Sequence, residues 1–217
     1  MGAITRSIAN NITTSGVFTS SAITNNSVTG ITVLANAPAD GITLISSQTA
    51  SASASLSFTT GIDSTYKAYK FVFVNIHPAT DNHFFQFNGS TDGGSNYNVT
   101  KTTTKFRALH TESDSTTSLA YHSTDDLAQS TSDQRLVNGL GNGNDESLSG
   151  EMILFNPSST TYVKHFIARI HQYEAGNQSD DNFTAGYFNT TSAINAIIFK
   201  MGSGNIDDGK IYMYGIK

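Results

Sequence analysis

The chain has no cysteine and no tryptophan, only three prolines, and charged side chains make up just 13% of it. Without cysteine there is neither a disulfide framework nor a thiolate metal site. Stability has to come from a buried core or from assembly. The charged share is about half the usual quarter, and the twelve basic residues are scattered in a chain of net charge −5. A phosphate-tracking surface needs clustered Lys and Arg, so nucleic acid is not expected as a partner. No apolar run approaches the roughly 20 residues of a membrane-spanning helix. Nor do residues 1–10 hold an apolar stretch of signal-peptide type. Neither membrane insertion nor a secretory route is expected.

Ser, Thr, Asn and Gly fill the space left by the missing charges. Their short side chains favour turns and local backbone hydrogen bonds, and Thr suits a pleated strand. They are poor at coating a solvated helix, whose outer face normally carries Glu, Lys, Gln and Arg. The composition therefore predicts an all-β protein. Aromatic residues at 10% argue against general disorder.

Residues 1–40 differ from the rest. Isolated apolar residues (Ile8, Ile12, Val17, Phe18, Ile23, Val28 and Ile31 among them) stand in a Thr/Ser/Asn background. A weak repeat relates Ile8-Ala9-Asn10-Asn11-Ile12-Thr13 to Ile23-Thr24-Asn25-Asn26-Ser27-Val28-Thr29. Asn pairs suit turns and β-branched neighbours suit short strands. Such a segment buries too little apolar area to offset an ordering cost of roughly 1–2 kcal/mol per residue. It is expected to be an extended attachment or trimerisation arm, packed against other polypeptides through those seven residues. A disordered leader is the alternative.

Asn36-Ala37-Pro38-Ala39-Asp40-Gly41 marks the boundary to a second domain over 41–217. There, strand-like runs follow at short intervals: 42–47, 52–58, 69–76, 84–88, 104–109, 151–155, 163–173, 183–188, 193–201 and 211–216. Ala52 to Phe58 alternates with Ser, as a half-buried strand does. Tyr69 to Ile76 is apolar on both faces and reads as a central strand covered twice. Turn clusters at Asp92-Gly93-Gly94, Asn156-Pro157-Ser158-Ser159 and Gly202-Ser203-Gly204-Asn205 separate the runs. About ten such strands predict a two-sheet β-sandwich of jelly-roll type. Residues 119–129 are the one place where a turn or two of helix is considered.

Few constellations carry chemistry. The six histidines show no HExxH or comparable ligand spacing. His165 and His171 share a strand face but stand about 20 Å apart at strand rise, too far to share one ion. There is no G-x-S-x-G elbow. The acidic pairs Asp125-Asp126, Asp180-Asp181 and Asp207-Asp208 lie in stretches that read as turns. The loop Gly139 to Glu146 offers oxygens of the kind Ca²⁺ takes, without the ordered ligand spacing of a calcium loop. A surface loop is the preferred reading. N-x-[ST] triplets at Asn11, Asn88, Asn98, Asn182 and Asn189 are expected by chance in such a composition, and no role is assigned to them. The chain is not expected to be an enzyme, and no cofactor or metal is expected.

Three stretches resemble small virion structural proteins of tailed bacteriophages, of the fibre and decoration types found in marine and cyanobacterial phages. They are the Ile-x-Asn-Asn leader, the run Phe73-Val74-Asn75-Ile76-His77-Pro78-Ala79-Thr80-Asp81 with Asn96 to Thr103 after it, and the tail from Phe199 to Lys217. The closing pattern Gly-x-Ile-x-x-Gly-x-Ile-x-Met-Tyr-Gly is similar to the final strands of phage sandwich domains. The resemblance implies a virion protein assembled in the host cytoplasm and brings no catalytic residues. The leading expectation is a homotrimeric tail fibre whose sandwich head contacts the host surface, where Ser, Thr, Asn and Tyr suit polysaccharide. Expected partners are further copies of the chain and other virion proteins of the tail, baseplate or capsid. The alternative is a capsid cement or decoration (head fibre) protein that stabilises the particle.

Overall fold

A computed structural model describes residues 41–217. The arm expected over residues 1–40, with Ile8, Ile12, Val17, Phe18, Ile23, Val28 and Ile31, lies outside the described residues. The described chain is all-β, with twelve strands and no helix among the described residues. In order they are β1 (Ile42–Thr49), β2 (Leu56–Phe58), β3 (Ala68–Pro78), β4 (His83–Ser90), β5 (Lys101–Thr111) and β6 (Thr117–Tyr121). There follow β7 (Gln134–Leu140), β8 (Leu148–Phe155), β9 (Lys164–Glu174), β10 (Gln178–Phe188), β11 (Ala196–Met201) and β12 (Ile206–Ile216).

Every pairing is antiparallel, and the strands form one nearly closed sheet. A run of eight passes through β1, β12, β3, β8, β9, β10, β5 and β6. A run of four passes through β7, β4, β11 and β2. One residue pair, Leu140 with Glu174, joins the second run to the first.

The two runs meet through aromatic side chains. Phe199 on β11 contacts Phe71 and Phe73 on β3 at ring separations of 5.2 and 5.1 Å. Phe58 on β2 touches Phe71 at 5.4 Å, and Phe85 on β4 touches Phe73 at 5.4 Å. All are buried, as are Tyr69, Met152, Leu154, Ile211 and Met213. The period of two in these strands produces this core: Tyr69, Phe71 and Phe73 point in, while Lys70, Val72 and Val74 point out.

Close backbone approach accounts for Gly150. A Cβ there would lie 2.4 Å from the carbonyl oxygen of Arg169 and 2.7 Å from the Cα of Ile170. Gly209 takes φ +115° where the β12–β3 register shifts, a backbone that side chains disfavour.

Three sequence expectations change. Residues 119–129 hold no helix: Leu119 to Tyr121 end β6, and turns follow. Asp180 and Asp181 lie within β10, and Asp207 and Asp208 within β12, so neither pair is a turn. Tyr69 to Ile76 is central between β12 and β8, but its outer face is not covered by the described residues, for Val74 is 39% exposed.

Candidate functional site

Antiparallel partners in register point to the same side of a sheet, so the pairing defines its faces. On the outer face of the eight-strand run, one row crosses from Leu44 through Tyr214, Lys70, Ile153, Ile167 and Ala185 to Thr104. The next row runs from Tyr212 through Val72, Glu151, Arg169, Phe183 and Phe106 to Tyr121.

Among the described residues, this face holds nearly all of the exposed large apolar side chains. Ile42 and Leu44 stand at the β1 margin, 60% and 53% exposed. Leu119 and Tyr121 stand at the β6 margin, and Val74, Phe155, Ile167 and Phe106 lie between. Tyr162, in the loop before β9, is the single exception. Scattered exposed hydrophobic residues need no explanation, but a contiguous set does.

At its centre is a groove of about 240 Å³ lined by Phe106, Ile153, Ile167, Arg169, Phe183 and Ala185. Phe106 and Phe183 stack at 4.7 Å with rings 7° from parallel. The Arg169 guanidinium sits 4.9 Å over the Phe183 ring and bonds Asp181 at 2.7 Å. Bonding to Asp181 raises Arg169 further above its already high pKa. Lys70 and Glu151 pair at 2.5 Å on the same face. The strong charges in these rows are matched within the face, although the whole chain carries −5. Glu151, Thr104 and Thr184 also line the groove, and the Glu151 carboxylate is held by Lys70. What it offers is apolar area for burial.

The opposite side of β5, β9 and β10 faces inward and sets polar residues beside the core residues Phe166, Ile170 and Phe188. Lys101, Lys105, Lys164, Gln172, Asp180 and Asn182 are all buried. Lys105 Nζ bonds Asp125 Oδ2 at 2.8 Å, and Arg135 reaches Asp125 Oδ1 at 3.2 Å. Burial alone would raise the Asp125 carboxyl, but Lys105 and Arg135 outweigh it and hold it below the ordinary aspartate range. Arg107 pairs with Asp180 at 2.8 Å.

The histidines do not converge. His77 Nε2 lies 3.1 Å from the carbonyl of Gly143, His110 pairs with Asp114 at 2.9 Å, and His171 contacts Ser179 at 2.8 Å. Among the described residues no group of three or more His, Asp or Glu side chains is placed to hold a metal ion. In the loop 139–146, Glu146 accepts a bond from the Gly143 amide.

Sequence reasoning did not single out the outer face, although its signal was present. Tyr69 to Ile76 and Val163 to Tyr173 carry apolar residues in both phases of the alternation. Comparison with protein-family models, curated proteins and solved structures finds no match to this chain.

Proposed function

We propose that this chain is a structural protein of a tailed-phage particle, acting by self-assembly and surface contact rather than by catalysis. In this reading it is a homotrimeric tail fibre whose 41–217 domain is a two-sheet jelly-roll sandwich meeting the host surface. Strand order supports the sandwich: β1-β12-β3-β8 and β2-β11-β4-β7 each interleave early and late strands, as the double wrap of a jelly roll does. The hairpin β5–β6 and the pair β9–β10 then widen the first sheet.

The observation that carries the assembly is the outer face. Eight strands spaced about 4.8 Å, with strands up to about 37 Å long, span on the order of 1,000 Å². A stable interface takes about 800 Å² from each partner. The occupant proposed for this face is a second copy of the chain. Internally matched charge lets like faces meet without net repulsion, and apolar groups at both sheet margins provide contacts for a neighbour on either side.

Light scattering on the full chain tests the assembly. The expected mass is three times the 23.2 kDa of one chain. Phe106→Glu with Ile167→Glu should reduce it to that of a single chain while the β-sheet circular dichroism persists. A monomeric native protein, or a trimer indifferent to the double substitution, refutes this use of the face. Quantitative mass spectrometry of purified particles tests the virion role: a few to a few dozen copies fit a fibre. Hundreds fit capsid cement, a second reading that such a broad apolar face also suits. Absence from the particle refutes both.

A further inference from the structure

Asn88 at the end of β4 and Lys101 at the start of β5 are 1% and 0% exposed. Lys101 Nζ lies 2.7 Å from Asn88 Oδ1. With Cγ about 1.2 Å beyond that oxygen, the amine stands within about 4 Å of the amide carbon. The other partner of Nζ within hydrogen-bond distance is the Val99 carbonyl at 2.9 Å, so both partners are neutral oxygens. The Phe188 ring lies 5.7 Å away. Burial, offset in part by Asp133, lowers the Lys101 ammonium to about 8. An appreciable fraction of neutral amine is therefore present near neutral pH.

The amide is held on every side. The Gly89 N–H donates to Asn88 Oδ1 at 2.9 Å. Asn88 Nδ2 donates to the Thr131 carbonyl at 3.0 Å and to Asp133 Oδ1 at 3.0 Å. Each contact agrees with one orientation of the amide: two donors face its oxygen and two acceptors face its nitrogen. The second oxygen of Asp133 is fixed by Lys200 at 2.8 Å and by Gln86 at 3.4 Å. Backbone bonds between Lys101 and Ser130, at 2.8 and 3.0 Å, set the base of the lysine.

We propose that Lys101 and Asn88 join in an intramolecular isopeptide bond that covalently ties β5 to β4. This inference does not depend on the particle role. The lone pair of neutral Nζ attacks Cγ, forming the new C–N bond and moving the carbonyl pair onto Oδ1. The Gly89 N–H, already at oxyanion-hole distance, stabilises that charge. The new bond brings Nζ beside Nδ2, where the Asp133 carboxylate already bonded to Nδ2 carries the Nζ proton across to it. The oxyanion pair then re-forms the carbonyl, the Cγ–Nδ2 bond breaks, and ammonia leaves. Amine and primary amide become secondary amide and ammonia, with no oxidant or other reactant. Lys101 is the nucleophile, freed by desolvation, and Asp133 is the proton carrier. The step happens once per chain and is self-modification, not turnover.

The intact mass of the full chain, purified without denaturation, tests this. It should fall about 17 Da below that of the sequence, the mass of the expelled ammonia. Trypsin should no longer cut after Lys101. Chymotryptic cleavage after Tyr97 should release a branched peptide joining the segments that carry Asn88 and Lys101. Lys101→Arg and Asn88→Ala should each show the full mass of their own sequences, and Asp133→Ala should lose or greatly slow the reaction.

A folded native chain that keeps its full mass after days at pH 8 overturns the proposal. So does a deficit of about 17 Da with trypsin still cutting after Lys101, which identifies ring closure of Asn88 onto the Gly89 nitrogen instead. Both readings come from the unsubstituted protein and stand whether or not the variants fold.

Discussion

Substituting alanine for Asp125 removes the only carboxylate within ion-pair distance of Lys105 among the described residues. Both side chains are fully buried at a separation of 2.8 Å. The ammonium left behind has no water to recover, and a buried charge deprived of its partner costs about 3–5 kcal/mol. That is about a fifth or more of the about 5–15 kcal/mol that holds a typical domain folded. For a domain of this size it corresponds to a fall in Tm of about 6–20 °C. Urea unfolding followed by circular dichroism measures it, and Lys105→Met with Asp125→Ala is the control. Removing both charges spares the stranded ion, so the double variant should recover most of the loss. A single substitution costing under about 1 kcal/mol, as for an exposed pair, refutes the reasoning. A double variant as weak as the single one places the cost in lost packing instead. The same pair sets an acid limit. A carboxyl depressed by folding contributes stability above its unfolded pKa and loses it as pH falls through the folded value. Asp125 is depressed, so stability should decline below about pH 4, and the Asp125→Ala protein should show a shallower decline.

Other substitutions test the core and its closest contact. Phe199→Ala empties a fully buried site ringed by Phe58, Phe71, Phe73, Phe85 and Phe87. It should cost about 3–5 kcal/mol in chemical denaturation, and a loss under about 1.5 kcal/mol contradicts its bridging place. Gly150→Ala must push β8 from β9, because the obstructing atoms are backbone. A loss of about 1–3 kcal/mol is expected by thermal unfolding, and an unchanged Tm refutes the close approach.

Much of the fold is legible in the sequence because its strands alternate. Val163 to Tyr173 gives β9 almost to the residue, and Lys164, Phe166, Ala168, Ile170 and Gln172 form its buried face. The strand β7 escaped notice because Gln134-Arg135-Leu136-Val137-Asn138-Gly139-Leu140 follows no clean period: Leu136 and Val137 are adjacent and both buried. Leu119 to Tyr121 looked able to turn helically since nothing in those residues shows that β5 will offer them an edge. The polar interior was hidden for another reason. Lysines at positions 101, 105 and 164 look like solvent-facing residues until the segment around Asp125 to Asp133 is seen to cover part of that layer. The Asn88–Lys101 contact spans 13 positions of chain and leaves no periodic trace. Asn88 was legible only as one of many chance triplets.

The Leu140–Glu174 pair is the one point where the ladders of the two runs meet, and isolated bridges (Ser53 with Ile206, Lys101 with Ser130) join only the segments that lead into them. Ladders normally carry strain along a β-structure from backbone to backbone, yet here little of it can cross by that route from the four-strand run to the eight. Pulling the runs apart would load the interlocked phenylalanines and the Asn88–Lys101 contact, so side chains, and not the ladder, bear force across the seam.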